Sequence, residues 1–180
     1  SSSLTIVRGG GTTFGDLYLR PTSSTITGGT VIFNNTVPNT TQNYTMDANI
    51  SLYNMTVTGA GVARNATIGL SVNPLILKGT LTFTNSNSIL NANNFNVSIA
   101  GDLTNNGASV TNFYDLMISC SGSLSVNNSF TVNRNLSINS GTLILYPVAT
   151  DYKISVLGNL TNNSSYVDNN TSGGGIMLAG

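Results

Sequence analysis

One stretch of the chain occurs twice, and any fold has to accommodate the duplication. Residues 95–110, FNVSIAGDLTNNGASV, return as residues 152–167, YKISVLGNLTNNSSYV. Ser98/Ser155, Gly101/Gly158, Leu103/Leu160, Thr104/Thr161, Asn105/Asn162, Asn106/Asn163 and Val110/Val167 are identical, seven of sixteen positions. The duplication belongs to a longer order. LYNMTV (52–57), LSVN (70–73), GTLTF (79–83) and FNVSIAGDLTNN (95–106) are followed by FYDLMI (113–118), LSVN (124–127), GTLIL (141–145) and YKISVLGNLTNN (152–163), at offsets of 61, 54, 62 and 57 residues. A repeated order with variable spacing marks stacked units whose strands are fixed and whose loops vary.

A shorter period lies inside the long one. Phe33, Tyr53, Leu75, Phe95, Phe113, Phe130 and Tyr152 follow one another at 17 to 22 residues. The apolar runs alternate with polar residues at a period of two, and no window carries the 3.6-residue period of a helix. The spacing predicts an all-β chain, a parallel β-helix (β-solenoid) with about 20 residues per coil, three coils to a long unit. About nine coils stacked at about 4.8 Å make a rod of about 43 Å. The other arrangement open to such strands is an antiparallel β-sandwich, as in a strand-exchanging filament subunit. Residues 1–180 read as one solenoid domain or a segment of a longer array: N-terminal coils over 1–51, long repeats over 52–112 and 113–170, and a C-terminal tail over 171–180.

Asparagine pairs stand between the apolar runs, where corners belong, because asparagine tolerates the left-handed backbone of a sharp turn. Asn34/Asn35 and Asn93/Asn94 are two such pairs. Asn105, Asn106, Asn127, Asn128, Asn162 and Asn163 are expected to stack along the rod as a corner ladder of hydrogen-bonded amides. The inward rows are expected to include Leu103, Leu116, Ile118, Leu124, Val126, Leu143, Leu145, Ile154, Val156 and Leu160.

The pattern aromatic or apolar, any, Asp/Asn, Leu/Met, any, aliphatic appears as FGDLYL (14–19), LYNMTV (52–57) and FYDLMI (113–118). With GTLTF, GTLIL and the two LTNN segments, it resembles the Thr/Asn/Gly-rich β-helical repeats of large secreted bacterial surface proteins, the adhesin-like proteins of the Bacteroidetes type. The resemblance covers about residues 12–167 and implies a stalk or adhesive surface exported to the outside of the cell. The chain departs from that pattern in having six aspartates and no glutamate. It also carries fourteen Asn-X-Ser/Thr sequons, at Asn34, Asn39, Asn43, Asn49, Asn54, Asn65, Asn96, Asn127, Asn135, Asn159, Asn162, Asn163, Asn169 and Asn170, the acceptors of an N-glycosylated surface protein.

Composition narrows the chemistry. Only 7% of residues are charged, six basic against six acidic, with no histidine, where ordinary soluble proteins carry about 25%. So few scattered cations supply no electrostatic footprint for nucleic acid, and no apolar run approaches a membrane span. The first residues lack the charged and apolar regions of an export signal, so any such signal is expected to be removed already or never included. The single Cys120 cannot form an intrachain disulfide, and its parity with Leu116 and Ile118 places it inside. A Ser-His-Asp triad lacks its histidine; a metal site lacks histidine, paired cysteines and clustered carboxylates. Asp16, Asp47, Asp102, Asp115, Asp151 and Asp168 are the only acids available to a carbohydrate-active β-helix enzyme. Asp16 and Asp115 alternate with Asn54 at one motif position, and Asp102 with Asn159, which is the signature of backbone capping. Arg8, Arg20, Arg64, Arg134, Lys78 and Lys153 are expected at solvated edges. The Thr-X-Thr dyads 25/27, 56/58, 80/82 and 82/84 recur without the regular spacing of an ice-binding face.

The reading is therefore a non-catalytic structural or adhesive module on an extracellular cell surface, needing no cofactor. Its partners would be neighbouring repeats, other copies of itself, or glycans and other cells, the alternative being a filament subunit joined end to end or by a donated strand from GIMLAG (175–180).

Overall fold

A computed structural model describes residues 2–11, 15–61, 64–106, 112–126, 129–145, 152–170 and 173–179. Every regular element among them is a β-strand: β1 (Ser3–Ile6), β2 (Leu17–Leu19), β3 (Thr30–Asn34), β4 (Gln42–Ala48), β5 (Asn54–Thr58) and β6 (Ala66–Leu70). They are followed by β7 (Leu75–Leu77), β8 (Leu81–Phe83), β9 (Ser88–Asn91), β10 (Asn96–Ile99), β11 (Leu103–Asn105) and β12 (Asn112–Val126). The last five are β13 (Phe130–Leu145), β14 (Lys153–Val156), β15 (Leu160–Asn162), β16 (Ser165–Asp168) and β17 (Gly175–Leu178). All pairings among the described residues are parallel and join residues a full turn apart, so that even the consecutive strands β12, β13 and β14 pair one coil on the next. The chain is a β-solenoid; the parallel registers exclude the antiparallel sandwich.

A five-stranded sheet runs β1-β3-β5-β8-β11, and a twelve-stranded sheet has the main path β2-β4-β6-β9-β12-β13-β14-β17. The second sheet bends around corners. β12 and β13, at 15 and 16 residues, pass from one side of the coil to the next through register shifts, with Gly141 of β13 at a φ of 84°. Thus β13 receives β14, β15 and β16 along successive parts of its length.

Side chains that alternate inward form stacked rows. Leu75, Val97, Leu116, Leu136 and Leu160 stand opposite one another on successive coils, as do Leu77, Ile99, Ile118 and Ile138. Met55, Leu81 and Leu103 make the corresponding buried row on the five-stranded sheet, which Val31, half-buried, and Leu4, exposed at the end of the stack, continue in register. Each leucine or isoleucine so buried contributes about 1.5–3 kcal/mol relative to exposure. Leu103, Leu116, Ile118, Leu143, Leu145, Ile154 and Val156 are buried as expected, and so is Cys120. Leu160 is only half-buried, since no coil described here covers β15. The side chains of Leu124 and Val126 lie outside the described set.

The coil is longer than 20 residues. Along the Leu75 row the steps are 22, 19, 20 and 24 residues, whereas Leu17 meets Met46, and a turn takes roughly 23. The eight strands of the main path span about 34 Å at about 4.8 Å per step, short of the expected 43 Å. The aromatic ruler was uneven because its marks sit on different sides: Phe33 is opposite Ile6 and Val57, Phe113 opposite Val132.

Nor is the long unit three coils. NVSI of the first copy, β10, shares its side with β12 residues Asp115–Ile118 and, further on, with β15. KISV of the second copy, β14, pairs instead with Phe130–Val132 and β17. The two LTN segments part in the same way, β11 on β8 and β15 on β13. The duplicated sequence has stepped one side around the coil. The FGDLYL, LYNMTV and FYDLMI motifs likewise feed β2, β5 and β12 in different stacks, so the motif encodes a corner and strand usable on any side; Phe14 lies outside the described residues.

Asn39, Asn93 and Asn94, at φ of 55°, 48° and 68°, are the only non-glycine residues at positive φ among those described. The duplicated glycine is a steric requirement. A Cβ at Gly101 would sit 2.7 Å from the Gly79 carbonyl carbon, and one at Gly158 would sit 2.2 Å from the Arg134 carbonyl oxygen.

Candidate functional site

The polar groups that the fold organises lie along its corners. At the variable Asp/Asn position of the motif, the side chain receives the backbone of the next coil. Asp16 Oδ2 accepts from Thr45 N at 2.7 Å, Asn54 Oδ1 from Thr80 N at 2.8 Å, and Asp115 Oδ1 from Asn135 N at 3.1 Å. At the other variable position the main chain does the work: Leu81 N donates to Asp102 O and Leu136 N to Asn159 O, both at 2.9 Å. Neither role requires a charge, which is why Asp and Asn exchange there.

Two aspartates do more. Asp47 accepts Arg20 Nε at 3.1 and 3.0 Å and Arg20 Nη2 at 2.7 Å, and it also takes Asn73 Nδ2 at 2.7 Å. Asp115 accepts Arg134 Nε at 2.8 Å, Arg134 Nη2, and Asn135 Nδ2 at 3.0 Å. The guanidinium carbons lie 5.8 Å from the Tyr18 ring centroid and 4.5 Å from that of Tyr114, within cation–π range. The same four residue types, Tyr, Arg, Asp and Asn, therefore build one bracket twice. Arg20 and Arg134 are exposed, as expected from the sequence, and each is also pinned across coils to a carboxylate that is buried. The Arg134 guanidinium holds the Asp115 carboxyl below its ordinary pKa, outweighing the opposing effect of burial.

An amide ladder is seen at another corner, while the predicted one runs through Asn127 and Asn128. Asn105 stands opposite Phe83 and Asn162 opposite Ile138, so these two do not meet an asparagine in the preceding coil. Asn106 and Asn163 donate main-chain N–H groups to Phe83 and Ile138 on different sides, and Asn162 Oδ1 caps Ser164 N. Asn127 and Asn128 lie outside the described residues. The observed ladder starts at Asp115, on which Asn135 is hydrogen-bonded, and Asn159 Nδ2 donates to Asn135 Oδ1 at 3.1 Å. Sequence alone could not align residues 115, 135 and 159, since the steps differ.

Of the sequon asparagines, Asn34 and Asn65 are half-buried and Asn39, Asn43, Asn49, Asn96, Asn159, Asn162, Asn163 and Asn169 are exposed. Asn54 and Asn135 are occupied as above, and Asn170 clamps both main-chain groups of Tyr152 at 3.0 Å. Asp151 lies outside the described residues, as does Asn127.

Two recesses, one polar and one of mixed lining, flank the Tyr114–Arg134 stack. One, about 280 Å³, is lined by residues 91–94, Tyr114 and Asn133; the other, about 250 Å³, by Asn96, Asp115, Leu116, Met117, Arg134, Asn135 and Ser137. Among the described residues no group of three or more His, Cys, Asp or Glu could hold a metal ion. On the outer face of the five-stranded sheet, register also aligns what spacing concealed: Thr5, Ile32, Thr56, Thr82 and Thr104 form one row.

The fold defines the chain as a β-solenoid. No family model, curated protein or solved structure matches it.

Proposed function

We propose that this chain is a non-catalytic structural and adhesive module of an extracellular surface protein, in keeping with its resemblance to adhesin-like solenoid repeats. What supports the reading is the way the polar residues are used. The side chains of Asp16, Asp47, Asp115, Arg20 and Arg134 are used in tying one coil to the next, while the exterior is rich in threonine, serine and asparagine over a single continuous core. Such a rod carries load along its axis and presents a long surface of low charge. Its partners would be neighbouring repeats and the surfaces of other cells. Antibody labelling of intact source cells tests the location, and adhesion of beads coated with the chain tests the activity. Labelling that needs permeabilised cells, or beads that adhere no better than beads coated with an unrelated protein, would refute it.

The aligned threonines favour a second reading, an ice-binding face. Hydroxyls repeat about every 4.8 Å between coils and about 6.6 Å along a strand, and Thr56/Thr58 and Thr82/Thr84 supply two dyads on adjacent coils. Thermal hysteresis measured by nanolitre osmometry decides it: ice that grows as soon as the temperature falls below the melting point counts against this reading.

A further inference from the structure

We propose that the corner flanked by Tyr114 and Arg134 is a binding site for a neutral, hydroxyl-rich ligand, an oligosaccharide of two or three rings. The proposal rests on the adhesive reading and deepens it. The two recesses, about 280 and 250 Å³, open on either side of the same Tyr114–Arg134 stack. The walls of the first are chiefly carboxamide and phenol groups, while the second sets Asn96, Asn135 and Ser137 beside the apolar Leu116 and Met117 and the Arg134–Asp115 pair. An amide both donates and accepts, as a sugar hydroxyl does, so the match is one of hydrogen-bond capacity rather than charge.

The framework is held before any ligand arrives. Asn93 Nδ2 is fixed to Leu70 O at 2.8 Å, its N–H to Asn91 Oδ1 at 3.1 Å, and Arg134 to Asp115. Asn93 and Asn94 take the left-handed backbone that turns the corner, and Asn94 and Asn133 are exposed at the rim. Rigid walls reduce the ordering cost of binding. The composition argues against other ligands. The one cation, Arg134, already has a carboxylate partner, which disfavours phosphate, sulfate or nucleic acid, and the asparagine-lined first recess disfavours an apolar guest.

The test uses the whole chain and the variant Asn94→Gly/Asn133→Ala. Glycine retains the φ of 68° at residue 94, and neither change touches the core or the bracket. Both proteins are applied to a microarray of neutral, sialylated and sulfated oligosaccharides, and the best neutral binder is titrated by calorimetry. The parent chain is expected to bind a neutral oligosaccharide, little affected by about 0.5 M NaCl. The variant is expected to bind about tenfold more weakly, with an unchanged melting curve. The proposal is overturned if no neutral saccharide binds, if both proteins bind it equally, or if only acidic glycans bind and salt removes them. Bead adhesion separates the two levels: a variant that adheres as well as the parent removes this site and leaves the adhesive reading standing.

Discussion

A single carboxylate, Asp115, shows how this chain spends its few charges. It is tied to a guanidinium and to a backbone and a side-chain amide one coil away. Its folded pKa is depressed below the unfolded value of about 3.9. The stabilisation is therefore present above that value and lost as the pH falls through the folded pKa. Asp115→Asn should lower stability by about 1–2 kcal/mol at pH 7, discounted because Arg134 is half exposed. It should also flatten the acid limb between about pH 5 and 3. Urea unfolding of both proteins across that range checks this; parallel pH profiles would contradict it. Tyrosines test the opposite limb. Tyr44 donates its hydroxyl to Val7 O at 2.9 Å, and burial raises its pKa to about 12, as it does that of Tyr166. A raised pKa contributes stability below the unfolded value of about 10 and loses it as the pH rises towards about 12. Absorbance titration should show a part of the tyrosine signal, that of Tyr44 and Tyr166, ionising only towards a pH of about 12; a tyrosine signal complete at about pH 10 would count against their burial.

At the scale of the strand, the unit of stability is the row. Leu136 is fully buried between Leu116 and Leu160, whereas Leu160 ends the same row half-covered. Leu136→Ala should cost about 3 kcal/mol, and Leu160→Ala about 1 kcal/mol. Thermal unfolding ranks them, and equal costs would refute the assigned row. The tail behaves as an ordinary strand: β17 pairs with β14 of its own chain and sets Ile176 opposite Ile154. Removing it would uncover the chain's own core, so loss of assembly on its deletion would not by itself identify a donated strand.

Across the whole molecule the apolar rows change character in the coil of β15 and β16. Ile138 is followed by Asn162 and Leu145 by Asp168, both exposed where their predecessors are fully buried. Stacking another coil on them would bury a carboxylate and an amide against leucine and isoleucine, a cost of several kcal/mol. This coil therefore resists end-to-end growth. Asn162→Ile with Asp168→Leu should continue the rows and cause concentration-dependent association in sedimentation velocity, relative to the parent chain. A double variant that sediments as the parent does would show that the polar residues are not what limits stacking.

Much of this was written locally. Alternation at a period of two, together with asparagine and glycine at the breaks, determined that the chain is a stack of short strands, because side-chain direction and backbone sterics act over a few residues. Leu116, Ile118 and Cys120 were assigned inward on that ground alone. Register was not written locally. Coil lengths of 19 to 29 residues are set by how far each loop detours, and only the packing of one coil on the next selects them. That selection placed Arg134 beside Asp115, stacked Asn159 on Asn135, aligned three threonines of unequal spacing, and moved the second FNVSIAGDLTNN-like copy one side around the rod. The strands follow from nearest neighbours in sequence, and the site follows from neighbours one turn away.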